Sequence, residues 1–244
     1  MRIFMTAIIL LMLGSAAQAA DINLLVPGLV GPGITAIAAA WKAKSGNNVV
    51  LSAGAPTIGK VEQIIAGGEA ADAVILPPGE LARMADKLKP GSQKKIGRVI
   101  FGVAVKKGTP HPDISTLEKF RAALQGKSVA YNDPATGSLA GKMVDAFLKT
   151  PGYEGVKRYP APTTGGAAVE DGKADIAVAV ESEEVKSLGI DIVGPVPDAT
   201  GLTVDISGAV LANAAHPQEA AAFLVFMAGP EAAAILKPTG VFAP

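Results

Sequence analysis

The stretch YNDPATGSLAGKMVDAF, Tyr131 to Phe147, changes its periodicity half-way along. It opens in the run Ser128-Val129-Ala130-Tyr131-Asn132, whose branched and aromatic residues suit a strand. Asn132-Asp133-Pro134 stops that run, and Thr136-Gly137-Ser138 makes a small polar turn. Beyond the turn Leu139, Met143, Val144, Phe147 and Leu148 fall on one face of a helix, which Thr150-Pro151-Gly152 ends. A strand feeding a helix through a tight turn is half of a βαβ unit.

The same order recurs on both sides. INLLVP (22–27) and NVVLSAG (48–54) read as strands around a helix with Ile34, Ile37, Ala38 and Trp41 on one face, begun at Pro32 and stopped at Gly46. A helix over 57–68 turns Val61, Ile64 and Ile65 inward. A strand over 71–77 and a short helix over 79–88 follow. RVIFGVAVKKG (98–108) is a long apolar strand, and ISTLEKFRAALQG opens with a capping box from Ser115 to Glu118. A short helix then leads to the strand IAVAV (176–180), two more strands lie in 190–197 and 202–213, and two helices split by Gly229-Pro230 close the chain. Short strands alternating with helices predict an α/β fold, and continuously apolar strands predict a mostly parallel sheet covered on both faces.

Ahead of this pattern, Arg2, the apolar run IFMTAIILLML and the small-residue triplet Ala17-Gln18-Ala19 read as a secretory signal over residues 1–19, cleaved near Ala19 or Ala20. The run is short for a bilayer span, so no stable membrane anchor is expected. With Cys 0, neither disulfides nor thiol chemistry is open to the exported chain, and its core must do the stabilising. Without the leader roughly 225 residues remain, enough for one large domain or two lobes of about 100. Basic and acidic side chains balance at 22 each. That balance and the low aromatic content speak against nucleic-acid binding. An anion, if bound, must be held by local dipoles.

In α/β sheets ligands sit beyond the carboxyl ends of strands. A helix start there offers unpaired N–H groups and the positive end of a dipole. Thr136 and Ser138 add hydroxyl groups, and Gly137 lets the backbone approach a ligand; the plainer alternative is an ordinary N-cap. Two more loops have the same placement: Pro27-Gly28-Leu29-Val30-Gly31, and residues 52–57, which end in Thr57. The first lacks the G-x-G-x-x-G spacing of a dinucleotide site. After IAVAV comes Glu181-Ser182-Glu183-Glu184, of which Glu183 and Glu184 read as a solvated acidic helix start. His111 and His216 each adjoin a proline and read as exposed loop residues. No metal-ligand spacing, P-loop or nucleophile elbow is present, and no cofactor is expected.

The segments INLLVP, GITAIAAAWKAKSGNNVVLSAG, VEQIIAGGEAADAVIL, VAVKKG, NDPATGSLAGK and FLVFMAGPEAAAILKPTGV together resemble the molybdate-binding-protein-like group of type II periplasmic solute-binding proteins. AGGEAADAVI and the closing helical segment carry the resemblance most specifically. It implies a two-lobed fold, each lobe a mostly parallel sheet flanked by helices. The lobes would be 20–102 with 183–244, and 103–182, joined by crossover strands near Gly102–Lys107 and Ala177–Glu181. It further implies a small anion captured between the lobes, by closure, for an ABC importer. Gly28, Leu29 and Thr57 would line the first lobe, Thr136, Gly137 and Ser138 the second, and Glu181 or Ser182 the hinge side.

The chain departs from that group where oxyanion binders usually carry serines and a tyrosine. It has Leu29 or Val30 in the first loop, Ala55-Pro56-Thr57 in the second, and Val180 at the second crossing. A buried tetrahedral oxyanion needs donors on every side, so a small organic carboxylate is expected in place of molybdate. Some proteins resembling the group are periplasmic isomerases of small polycarboxylic acids, aconitate isomerase among them. Proton abstraction beside a carboxylate needs a base within hydrogen-bond reach, and Glu181, at the second crossing, is the carboxylate best placed for the cleft.

Overall fold

In the computed structural model, residues 19–51, 57–184 and 187–243 are described. The expected signal segment, apart from Ala19, and most of the second loop, residues 52–56, lie outside them. In chain order the elements are β1 (Asp21–Leu25), α1 (Gly31–Ser45), β2 (Asn48–Leu51), α2 (Ile58–Ala66), β3 (Ala73–Leu76), α3 (Pro78–Arg83), β4 (Lys94–Lys106), α4 (Leu117–Leu124), β5 (Ser128–Asn132) and α5 (Leu139–Phe147). They continue with β6 (Lys157–Ala161), α6 (Gly165–Glu170), β7 (Ile176–Val180), α7 (Glu181–Glu184), β8 (Ile190–Pro195), β9 (Thr203–Val210), α8 (Pro217–Met227), α9 (Pro230–Leu236) and β10 (Val241–Phe242).

The strands join in the order β2-β1-β3-β9-β4-β7-β5-β6. The two wings are parallel, β2-β1-β3 on one side and β7-β5-β6 on the other. The antiparallel pairings all involve the long central strands β4 and β9. β4 serves both wings. Its first half pairs with β9 and β10, and its second half, from Phe101, pairs with β7 and β8. The expected first crossing, Gly102–Lys107, therefore falls in the second half of β4 and the residue after it. β8 pairs with that same half, so the chain leaves this wing only after Pro195.

Each wing has its own aromatic anchor. Trp41 of α1 lies 5.7 Å from Phe223 and 5.4 Å from Phe226 of α8, between ring centroids. In the other wing Phe147 of α5 lies 4.7 Å from Tyr153 and 6.2 Å from Phe120 of α4. Such pairs add roughly 0.5–1.5 kcal/mol each beyond the apolar area they bury. Asp72, 1% exposed, ties β1 to the start of α8: its carboxylate accepts the N–H groups of Asn23 at 2.8 Å and His216 at 2.7 Å. His216 is thus a half-buried residue at the start of α8, whereas His111 is exposed as expected.

Two local expectations are corrected. The helix after Ile114 is capped by Thr116, whose hydroxyl accepts the Lys119 N–H at 3.2 Å. Ser115 is drawn away by Asp113, to which it donates both its N–H and its hydroxyl. The strand β6, KRYPA, was not expected, because charges and a proline mask it. It forms the outer edge of its wing and pairs only with β5, which is where a proline is tolerated in a sheet.

Candidate ligand-binding site

Beyond the carboxyl ends of β1, β5, β6 and β7 the two wings face each other across a cavity of about 190 Å³. Pro27, Gly28 and Leu29 come from the turn after β1, and Thr57 and Ile58 from the start of α2. From the opposite wing come Asn132, the turn Thr136-Gly137-Ser138, the first residues of α5, and Thr164 ahead of α6. Glu183 of α7 completes the wall. No lysine, arginine or histidine is among these lining residues.

The local sequence explains the turn at α5. Gly137 has φ +84°, a left-handed conformation that glycine adopts without the Cβ clash. Ser138 is the N-cap, and its hydroxyl oxygen accepts the Gly141 N–H at 3.0 Å. Its hydroxyl hydrogen is not spent on that bond. The N–H groups of Leu139 and Ala140 open the helix, where no preceding turn supplies an acceptor, and both residues line the cavity. Gly141 brings α5 against β5: a Cβ there would strike the Asn132 carbonyl. Farther along, the Tyr131 hydroxyl donates to Asp145 at 2.7 Å, and Arg158 and Lys149 pair with the same carboxylate. Burial pushes the Asp145 carboxyl up, but these partners outweigh it and hold it below its ordinary value. The network fixes α5 on its sheet and so aims its first turn.

Six of the expected ligand residues line this one cavity: Gly28, Leu29, Thr57, Thr136, Gly137 and Ser138. Their hydrogen bonding differs from expectation at Thr136, whose hydroxyl donates to the Asp133 carbonyl at 2.7 Å. It offers a ligand only an acceptor. Thr57 caps α2 by accepting the Lys60 N–H, which leaves its hydroxyl hydrogen available. Ser182 lies in α7, and its side chain is outside the described residues.

The carboxylates are distributed otherwise than the sequence suggests. Glu181 does not line the cavity; its side chain lies over Gly102, where a Cβ would come within 2.6 Å of its Cγ. Burial raises its pKa. Glu183, read as solvated, stands in the cavity wall, and its Oε2 accepts the Asn132 side-chain N–H at 2.7 Å. The Asn132 amide is oriented from its other end, where Oδ1 accepts the Gly165 N–H at 3.4 Å. Glu184, also read as solvated, is 3% exposed. The reason is the length of α7. Four residues form one tight turn wedged between α1, β4 and β8, and such a turn cannot keep three acidic side chains on a solvent face. Asn132, Thr164 and Glu183 were missed; the Asn132-Asp133-Pro134 stop after a strand was the available signal for the first of them.

A family model described as bacterial extracellular solute-binding protein matches residues 22–241. The chain belongs to that family. This solute-binding protein is 30% identical over 222 residues to an aconitate isomerase of Pseudomonas sp, with 88% of this chain and 84% of the relative covered. Its fold is similar to the substrate-binding domain of a putative molybdenum ABC transporter from Clostridium difficile (TM-score 0.74, 18% identity, 93% of this chain and 100% of that one). It is also similar to the periplasmic molybdate-binding protein of Azotobacter vinelandii (TM-score 0.66, 19% identity, 91% and 99% covered). The solute-binding family read from the sequence is therefore shown, and the fold is similar to that of molybdate-binding proteins. Where the resemblance leads to a tyrosine, Val180 is 1% exposed and paired with Phe101 in the sheet, so its side chain donates nothing to a ligand.

Proposed function

We propose that this solute-binding protein captures a small organic carboxylate in the periplasm, between two halves that close on it, and presents it to an ABC importer. The observation that carries the reading is the meeting of the α2 and α5 starts and the Gly28-Leu29 turn around one cavity with no cationic side chain among its described lining residues. First-turn N–H groups and cap hydroxyls favour an anion at that point. Glu183 argues against a bare tetrahedral oxyanion. Two unit charges about 4 Å apart near a protein surface repel by about 4 kcal/mol, and molybdate presents oxygen on every side. A carboxylate with a carbon body can turn its charged end to the helix starts and its hydrocarbon to Leu29, Ile58 and Leu139. The cavity is smaller than the roughly 300–1,000 Å³ of sites for drug-sized ligands, which suits a small metabolite.

A thermal-shift screen of the mature protein over molybdate, sulfate, and mono-, di- and tricarboxylates tests this reading. A ligand bound only by the folded state at 100 times its Kd stabilises by about 2.7 kcal/mol. Shifts with carboxylates and none with molybdate or sulfate are expected; the reverse pattern would refute it.

A second reading, isomerisation of a small polycarboxylic acid, is favoured by one observation. A carboxylate side chain stands in the wall of an otherwise anion-seeking cavity, in a chain similar over most of its length to an aconitate isomerase. Incubation with trans-aconitate, followed by proton NMR, separates turnover from capture.

A further inference from the structure

We propose that Glu183, not Glu181, is the catalytic acid–base group of this cavity, and that its substrates are carboxylates bearing a C–H bond both adjacent to a carboxylate and allylic to a double bond. The proposal rests on the isomerase reading and gives it a residue and a substrate class. Three observations carry it. Glu183 lines the cavity, whereas Glu181 lies over Gly102 outside its wall. The Asn132 amide is held at one end by the Gly165 N–H, so its NH2 group is the end that meets Glu183 Oε2. That bond fixes where the Glu183 carboxylate stands in the cavity wall. The same cavity is lined by Ser138, Leu139 and Ala140, the start of α5, suited to hold the substrate carboxylate on which negative charge grows.

The step balances without any co-reactant. Glu183 takes a proton from the saturated carbon. The C–H electron pair becomes the new double bond, and the old π pair moves toward the adjoining carboxylate as a dienolate. The protonated Glu183 then returns the proton to the far carbon of the three-carbon unit. The double bond has moved one position, and the atoms and charge are unchanged. Asn132 acts as a positioning residue: it fixes the carboxylate and does not meet the reacting carbons.

The test uses trans-aconitate as the probe, in D2O, with the mature protein and its Glu183→Gln, Glu183→Asp and Glu181→Gln variants. Wild-type protein is expected to exchange the methylene hydrogens of the probe for deuterium and to form the cis isomer. Glu183→Gln is expected to lose exchange and turnover at least 100-fold, the lower end of what a positioned base supplies. By calorimetry it should keep binding within a few-fold, which also shows that it is folded. Glu183→Asp, with its carboxylate drawn back, should fall between. Binding by wild type without exchange or isomerisation would overturn this proposal and leave the capture reading standing. Exchange that survives in Glu183→Gln and disappears in Glu181→Gln would overturn the assignment while keeping the isomerase reading. An Asn132→Ala variant whose kcat falls at unchanged KM, with a displaced pH profile, supports the positioning role; a profile that stays in place overturns it.

Discussion

Glu184 sits beside Glu183 in sequence, and its chemistry is opposite. Its carboxyl is buried near Gly166 and Ile190, with neither oxygen in a hydrogen bond of ordinary geometry. Burial first, and then the charge of Glu183, push its pKa up to about 7, against a weaker pull from the Gly166 N–H. The folded state thus holds this proton above the pH at which the unfolded chain releases it. The associated stability is complete below about pH 4.5 and is lost as pH rises toward 7. At 1.36 kcal/mol per unit, the loss is on the order of 3 kcal/mol. Burial acts in the same direction on Glu181. Thermal melts of wild type should fall in midpoint between pH 5 and pH 8, and Glu184→Gln should flatten most of that slope; identical slopes would refute the account. Ser138 supports a second prediction. Since its hydroxyl caps α5, Ser138→Ala should cost about 1 kcal/mol of stability as well as affinity. Ser138→Asp keeps a good cap but sets a negative charge at the mouth. It should melt near wild type while losing carboxylate binding by calorimetry; retained binding would count against the helix start as the anion's seat. The sequence marked Ser138 and Thr57 because strand, turn and helix periodicity meet there. It could not mark Glu183 and Glu184, whose burial depends on where a four-residue helix is wedged in three dimensions.

Among the elements, the wings were legible and their borders were not. Helices with a clear apolar face, such as α2 with Val61 and Ile65 buried, announce themselves by period. β6 does not, because an edge strand answers to solvent and tolerates Arg158 and Pro160. β4 was placed but shortened, since its first residues, Lys94 and Lys95, are exposed and charged. The register of α5 on β5 carries a test of its own. Gly141 lies so close to the Asn132 carbonyl that an alanine methyl has no room. Gly141→Ala improves helix propensity by up to about 1 kcal/mol, yet overpacking costs typically 1–3 kcal/mol. A net loss of stability in urea is expected, with weaker ligand binding because Asn132 and the α5 start move apart. A variant more stable than wild type would show that the contact is loose.

At the scale of the molecule, the cavity lies between two wings that share β4. Gly137 from one wing approaches Thr57 from the other: a Cβ at Gly137 would stand 3.5 Å from the Thr57 Oγ1. Closure on a ligand therefore needs no new scaffold, only a change in how far these turns stand apart. A ligand that touches both stabilises the closed arrangement by its differential affinity for it. The chain is suited to measuring this, because with Cys 0 any introduced cysteine is labelled uniquely. Lys60 on α2 and Lys142 on α5 are exposed, flank the cavity and do not line it. A Lys60→Cys/Lys142→Cys pair carrying spin labels should give a broad distance distribution without ligand. With a saturating carboxylate identified by thermal shift, the distribution should become shorter and narrower, while molybdate should leave it unchanged. If ligand raises the melting point and the distribution does not move, the protein binds in a preformed cleft and closure is no part of its mechanism. The same pair in the Ser138→Asp background should remain broad at the carboxylate concentration that closes the parent, since the α5 start would then repel the charge that draws the wings together.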